Sequence, residues 1–501
     1  MSLREIFEGA PSDAVALSAP DMRDLSFGGL NDQIADTVAA LRGAGIERND
    51  RVAIVLPNGP AMGSAFLAIA SGATSAPLNP QYRADEFEFY MSDLKAKALV
   101  IEAGMTSPSI EVAQKLGVKV IELQPTPEQG AGRFRLETGT PNGRITFAES
   151  DDIALVLHTS GTTSRPKIVP LSQANICASA RHIRATLGFS HSDRGLNIMP
   201  LFHIHGLIAG ILAPLSAGGS VYCTPGFNAL KFFAWMEAAR PSWYSAVPTM
   251  HQANLARASH NAAIIKNNPL RFIRSSSSSL PPQVFAEMES VFGAPMIEAY
   301  GMTEAAHQMA SNPLPPGSRK AGTVGLPAGP DIAIMDEAGQ LLKAGGIGEI
   351  VIRGPNVTKG YENNLKANSE AFTNGWFRTG DQGQMDEAGY LSLTGRLKEI
   401  INRGGEKISP REVDEVLMDH PAVQQVVTFA IPHDKLGEDV GAAIVLREGQ
   451  AADERSLRAY AATRLADFKV PRKILILNEI PKGPTGKLQR IGLAQKLGLA
   501  D

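Results

Sequence analysis

Strand and helix patterns alternate through about the first 390 residues, and this restricts the possible fold more than any other feature. Arg51–Leu56 (RVAIVL), Ala98–Glu102 (ALVIE) and Val118–Leu123 (VKVIEL) are apolar runs that read as buried strands. Amphipathic stretches such as Asp32–Ala44 lie between them and read as helices. Strands joined by helical crossovers run parallel, so the pattern predicts an α/β fold whose large N-terminal domain has parallel sheets flanked by helices. The pattern changes at Asp331–Gly354, where short alternating runs are punctuated by Gly345, Gly346 and Gly348. That predicts an antiparallel, barrel-like β subdomain near residues 320–390. From about Leu397 it resets: a helix at Arg411–Asp419, strands at Val423–Ile431 and Gly441–Leu446, and a helix at Asp453–Leu465. A chain of 501 residues exceeds one ordinary core. The expected division is a large domain of residues 1–395 and a small, mobile α+β C-terminal domain of residues 396–501. The boundary falls in the polar segment Gly395–Lys398, with Lys398 at the hinge.

Bulk charge narrows the partners. Lys and Arg number 48 against 51 Asp and Glu, for a net charge of -3. This balance gives no electrostatic reason to bind nucleic acid or an anionic membrane, so any anion must be held by a local site. Cys177 and Cys223 are too few for a disulfide scaffold, and their spacing suits no metal. No run of about 18 uncharged apolar residues predicts a membrane span, and Met1–Glu8 lacks the apolar core of a secretory leader. The expected setting is cytoplasmic, as a monomer or homodimer.

Five segments carry chemistry. Ile153–His158 (IALVLH), a buried-strand pattern, runs directly into Thr159–Lys167 (TSGTTSRPK). Thr159, Ser160, Thr162 and Thr163 supply hydroxyls, Gly161 lets backbone amides approach an anion, and Lys167 offsets its charge. No second Gly precedes the Lys, so this is not the usual P-loop; by composition alone a polar turn is an equal reading. Tyr300–Glu304 (YGMTE) offers a ring, a hydroxyl and a carboxylate suited to Mg2+. Asp381 lies in RTGD, a setting equally common for a structural turn. Gly395–Pro410 (GRLKEIINRGGEKISP) contains Arg396, Lys398, Gly404 and Gly405, and Pro481–Arg490 (PKGPTGKLQR) contains Lys487. Singly, a glycine pair is a turn and a tail lysine is a surface charge.

In this order and spacing, over about residues 20–490, the segments resemble the motifs of the adenylate-forming superfamily of acyl-CoA synthetases, luciferases and peptide-synthetase adenylation domains. The resemblance implies an ATP-dependent acid–CoA ligase that forms acyl-AMP and pyrophosphate, then acyl-CoA and AMP. ATP, Mg2+ and coenzyme A as co-substrate follow, with a small-molecule carboxylic acid as partner. It implies that Thr159 to Thr163 and Lys167 hold phosphates, Tyr300 stacks on adenine, Thr303 contacts the α-phosphate and Glu304 binds Mg2+. Asp381 and Arg396 would serve the nucleotide, Gly404 and Gly405 the pantetheine arm, and Lys487 would be the catalytic lysine. Ile168 stands where the family usually has Gly.

Within the superfamily, LHTSGTTSRPK, PLFHIHGL, WYSAVPTMHQ, LRFIRS and RGPNVTKGY are similar in style to oxalate–CoA ligases of plants and fungi. That likeness implies an acid pocket of His203, His251, Ser277, Ser278, Gly301, Met302 and His307, with Ser278 and Ser279 also meeting the nucleotide. His205 reads as a hydrogen-bonded structural residue. Polar groups there suit a small, dicarboxylic acid such as oxalate, whereas a fatty-acid tunnel should be apolar. Gly301, Ser276 and Ser278 depart from the expected Ala, Cys and Ala. The alternatives are an aryl- or fatty-acyl-CoA synthetase and a free-standing adenylation enzyme that loads a carrier protein.

Overall fold

The computed structural model describes residues 1–159, 166–482 and 488–500. Two large sheets dominate. One runs in the order Phe134–Glu137, Lys119–Pro125, Ala98–Glu102, Arg51–Val55, Thr74–Pro77, Ile153–His158 and Ile168–Ser172. Its five inner strands are parallel and its two edges antiparallel. The other has nine strands, with Ser220–Cys223, Arg194–Asn197, Trp243–Ala246, Phe272–Ser275 and Met296–Met302 parallel at its centre. The helices Phe27–Gly43, Pro60–Ala70 and Gln173–Thr186 share a core with one face of each sheet. Phe27–Gly43 starts five residues before the sequence pattern suggested. Ser26 caps it by accepting from the Gly29 amide, which overrides the poor helix propensity of Gly28 and Gly29.

His205–Leu212 (HGLIAGIL) forms a π-helix with all eight residues buried in this core. A helix that is apolar all round belongs inside, and π-helical turns gather at functional sites. Gly206 is required there, since a Cβ would lie 2.2 Å from the Pro200 carbonyl oxygen.

The expected antiparallel subdomain is present. Asp331–Met335, Ile347–Arg353, Phe372–Thr373, Trp376–Met385 and Leu391–Arg396 form a five-stranded sheet. Beyond a turn at residues 397–399, the chain enters another sheet of Ile401–Arg403, Glu406–Ile408, Val423–His433, Gly437–Leu446 and Lys473–Ile476. The helices Pro410–Met418 and Glu454–Ala462 pack with it, and its buried residues form cores separate from those of the large sheets. Val423–His433 runs through Pro432, past the expected end at Ile431. It is an edge strand, where a missing amide proton costs least. Among the described residues no helix is long and apolar enough to cross a membrane.

Candidate active site

The chemistry gathers where the central parallel strands end, the usual place for ligands in open α/β sheets. At one side, His158 pairs with Ile168 across two antiparallel strands. The Thr159 amide donates to the Lys167 carbonyl at 3.0 Å, and the Lys167 amide donates to Thr159 Oγ1 at 3.2 Å. These bonds pin together the two ends of the hydroxyl-rich loop; Ser160, Gly161, Thr162 and Thr163 lie outside the described residues. Ile168 is buried in the core on the far side of this sheet, so a strand side chain replaces the usual Gly for a packing reason.

Lys167 Nζ sits 4.3 Å from the Tyr361 ring centroid, and Tyr361 donates its hydroxyl hydrogen to Glu304 Oε1 at 2.8 Å. Glu304 is buried in the turn Thr303–Ala305 beside half-buried Thr303. Desolvation pushes its carboxyl above the usual range, while the Tyr361 hydrogen bond and the Lys167 charge pull it back. Tyr300 donates to Asp381 Oδ2, and Arg396 faces Asp381 Oδ1 at 3.2 Å from the paired position on the neighbouring strand. Asp381 is likewise raised by burial and opposed by Arg396. Two buried carboxylates, Glu304 and Asp381, thus lie beside two cations, Lys167 and Arg396.

The segment from Tyr300 to Gln308 joins this cluster to a second. His205 is fully buried: Nδ1 lies 3.0 Å from Ser277 Oγ, Nε2 2.6 Å from Ser245 Oγ, and its ring stacks on His307 with centroids 4.8 Å apart. His203, half-buried, accepts from the His205 amide through Nδ1 at 3.3 Å. Ser277 has φ +73° and His307 φ +99°, left-handed backbone that costs about 1–3 kcal/mol per residue and concentrates at functional sites. Gly301 is explained too. A Cβ there would lie 1.7 Å from the His307 carbonyl oxygen, so this backbone admits no Ala. Met302 is half-buried opposite His307 in the strand register.

Some expected members lie elsewhere. His251 is fully buried and meets the Tyr244 hydroxyl at 3.3 Å. Tyr244 and Ser245 are consecutive on one strand and point to opposite faces, so His251 sits behind the sheet from the His205 cluster. This corrects its placement in the acid pocket; sequence spacing did not reveal which face of the sheet its helix covers. Burial lowers its imidazole from 6.5 to about 3. The unfolded chain therefore takes up a proton at His251 below its ordinary pKa of 6.5 while the folded chain does not. This site should cost stability as pH falls from 6.5, at up to about 1.4 kcal/mol per pH unit, and His251→Leu should flatten that acid limb in thermal melts. Its KM for the acid should stay within about twofold of wild type. Ser278 and Ser279 are exposed beyond the end of Phe272–Ser275, with no hydrogen bond to either cluster among the described residues. Gly404 and Gly405, at φ +59° and +99°, form the tip of a hairpin in the C-terminal sheet. Lys487 lies outside the described residues; Arg490, three residues on, is fixed by Asp414 at 2.6 Å and by Glu399, next to Lys398, at 3.2 Å.

Sequence reasoning gave no role to Tyr361 or Ser245, and placed Arg274 only within Arg274–Pro281, a segment expected to line the acid pocket. A charged residue inside the apolar run LRFIRS was the one visible signal for Arg274.

Residues 3–362 match the model of the AMP-binding enzyme family, and residues 412–487 match the model of its C-terminal domain. The chain belongs to the AMP-binding enzymes. It is an AMP-forming acyl-CoA synthetase, as its motif order implied. An oxalate–CoA ligase of Arabidopsis thaliana is 45% identical, the match covering 96% of each chain. One of Saccharomyces cerevisiae is 42% identical, covering 97% of this chain and 95% of the other. Among solved structures, ATP-bound MatB from Rhodopseudomonas palustris superposes with a TM-score of 0.89 at 28% identity, covering 100% of this chain and 98% of that one.

Proposed function

We propose that this synthetase activates oxalate or a comparably small dicarboxylate. The carrying observation is the acid end of the site: Ser277, His205 and His307 close it with buried or half-buried polar groups on a strained backbone. A long acyl chain would bring hydrocarbon against these polar groups, whereas a second carboxylate can accept from them. The two oxalate–CoA ligases, similar over nearly the whole chain, support the same reading.

In the first step a carboxylate oxygen attacks the α-phosphorus and pyrophosphate leaves. Both reactants are anions, so positioning and charge neutralisation carry the rate. Lys167 lies near Glu304 and is available to the β- and γ-phosphates. Tyr300, its hydroxyl on Asp381, would present its ring to adenine, and Asp381 with Arg396 would hold the ribose; the contacts of Asp381 with Tyr300 and Arg396 support this reading. Thr303 serves the α-phosphate and His203 the acid. Among the described residues no three His, Cys, Asp or Glu cluster for a metal. Glu304 fits Mg2+ as a single carboxylate, because that ion takes one or two protein carboxylates and completes its shell with phosphates and water. When bound, the ion would neutralise charge on the departing pyrophosphate.

Lys487 supplies the moving charge. With the division at residues 395 and 396 and a hinge at Lys398, the C-terminal domain delivers Lys487 for adenylation. It then turns to bring Gly404 and Gly405 to the pantetheine thiol, which attacks the acyl-adenylate and releases AMP. The test is a panel of acids with pyrophosphate release and CoA-thioester formation monitored. Oxalate or another short diacid should give the highest kcat/KM; turnover of only long-chain or cinnamate-type acids would refute the assignment.

A further inference from the structure

Arg274 is fully buried in a strand, and among the described residues it has no ion pair with a carboxylate. A cation placed there without a counter-ion needs a reason, since removing it from water is costly. Its contacts give one. Nη1 lies 3.4 Å from both His205 Nε2 and Ser245 Oγ, and Nη2 lies 3.4 Å from Gln308 Oε1. Gln308 is held the right way round because its Nε2 donates to the Ala328 carbonyl at 3.0 Å.

Directions then follow. A guanidinium can only donate. His205 Nε2 must therefore present its lone pair, and Ser245, 2.6 Å away, donates its hydrogen to it. A proton on Nε2 would point at the guanidinium, which has no lone pair to accept it. The ring hydrogen thus sits on Nδ1, which donates to Ser277 Oγ at 3.0 Å. With its oxygen already accepting, Ser277 turns its own hydrogen outward, where it has no acceptor among the described residues. Ser277 alone in this series is half-exposed, so the chain of donors ends where a bound acid can reach it.

We propose that Arg274, Ser245 and His205 act as positioning residues in a one-way hydrogen-bond relay that presents Ser277 as a hydroxyl donor to an anionic oxygen of the acid. This deepens the small-acid reading and rests on it only for the identity of the acid. The buried cation polarises every link in the same direction, and the left-handed backbone of Ser277 aims the last one.

The direct test needs no substrate. Full-length protein labelled with nitrogen-15 in its histidines, with His205→Gln used to assign the signal, should show His205 neutral and protonated on Nδ1. A proton on Nε2, or an imidazolium, would overturn the relay. The kinetic test uses Ser245→Ala and Ser245→Thr, each with the best acid of the panel. Loss of the relay should raise the KM for the acid about tenfold or more, the effect of misdirecting one hydrogen bond to a charged group. The KM for ATP should stay within about twofold, and Thr, which keeps the hydroxyl, should restore most of the acid affinity. Equal rises in both KM values, or a Thr variant as poor as Ala, would contradict it. If wild type ignores short diacids while the Nδ1 tautomer is found, the choice of acid is wrong and the relay stands.

Discussion

Lys487→Ala abolishes acyl-adenylate formation and leaves thioester formation from supplied acyl-adenylate close to wild type. In the proposed mechanism the lysine would bridge the substrate carboxylate and the α-phosphate only in the first step, where two anions must approach one another. Loss of one such contact in a water-excluded site costs about 3 kcal/mol or more, a hundredfold to a thousandfold in rate. In the second step a thiol attacks a mixed anhydride, and on the same proposal the lysine would have withdrawn. Rapid-quench measurement of each half-reaction separates the two. Equal losses would contradict the account in which the C-terminal domain moves between steps. The Arg490 pairs with Asp414 and Glu399 tie the chain just after Lys487 to the turn holding Lys398. Arg490→Ala should accordingly slow both half-reactions, since neither docked geometry would be held, and quenched-flow rates for each will show it.

Glu304→Gln folds as well as wild type but loses adenylation by about two to three orders of magnitude, with a sharply raised Mg2+ requirement. Gln has nearly the same shape, and its carbonyl oxygen can still accept from Tyr361. The stability sign is set by burial. The folded-state pKa of Glu304 is raised, so ionisation costs more in the folded chain than in the unfolded one. That cost grows as pH rises above the unfolded value near 4.5, so a neutral Gln holds or gains stability at pH 7. Thermal melts with and without ATP and Mg2+ separate the effects: an unchanged or higher melting temperature of the free protein with a lost ligand-induced rise is expected. A large drop in the free protein would assign Glu304 a structural role instead.

Much of the fold was legible in the sequence because strand patterns are local. Ala98–Glu102 and Ile153–His158 appear as strands with the bounds that their apolar runs predict. Tyr300 and Asp381, 81 residues apart, meet through the motif order that implied a shared nucleotide site. Register and facing were not legible. The sheet face that decides His251 depends on which side of its strand Tyr244 points, and that is set by tertiary packing. The roles of Ser245 and Arg274 need contacts spanning 40 and 69 residues to His205. Gly301 looked like a loss of one methyl, and only the approach of the His307 carbonyl shows why no methyl fits.

The central claim is that one carboxylate oxygen of the acid becomes bonded to the α-phosphorus of ATP. Turnover with acid labelled by oxygen-18 in its carboxylates tests it without mutation. After CoA has taken the acyl group, mass spectrometry should find one heavy oxygen in the AMP and none in the pyrophosphate. Unlabelled AMP, or label in orthophosphate, would mean that activation takes another route, and the account would fail.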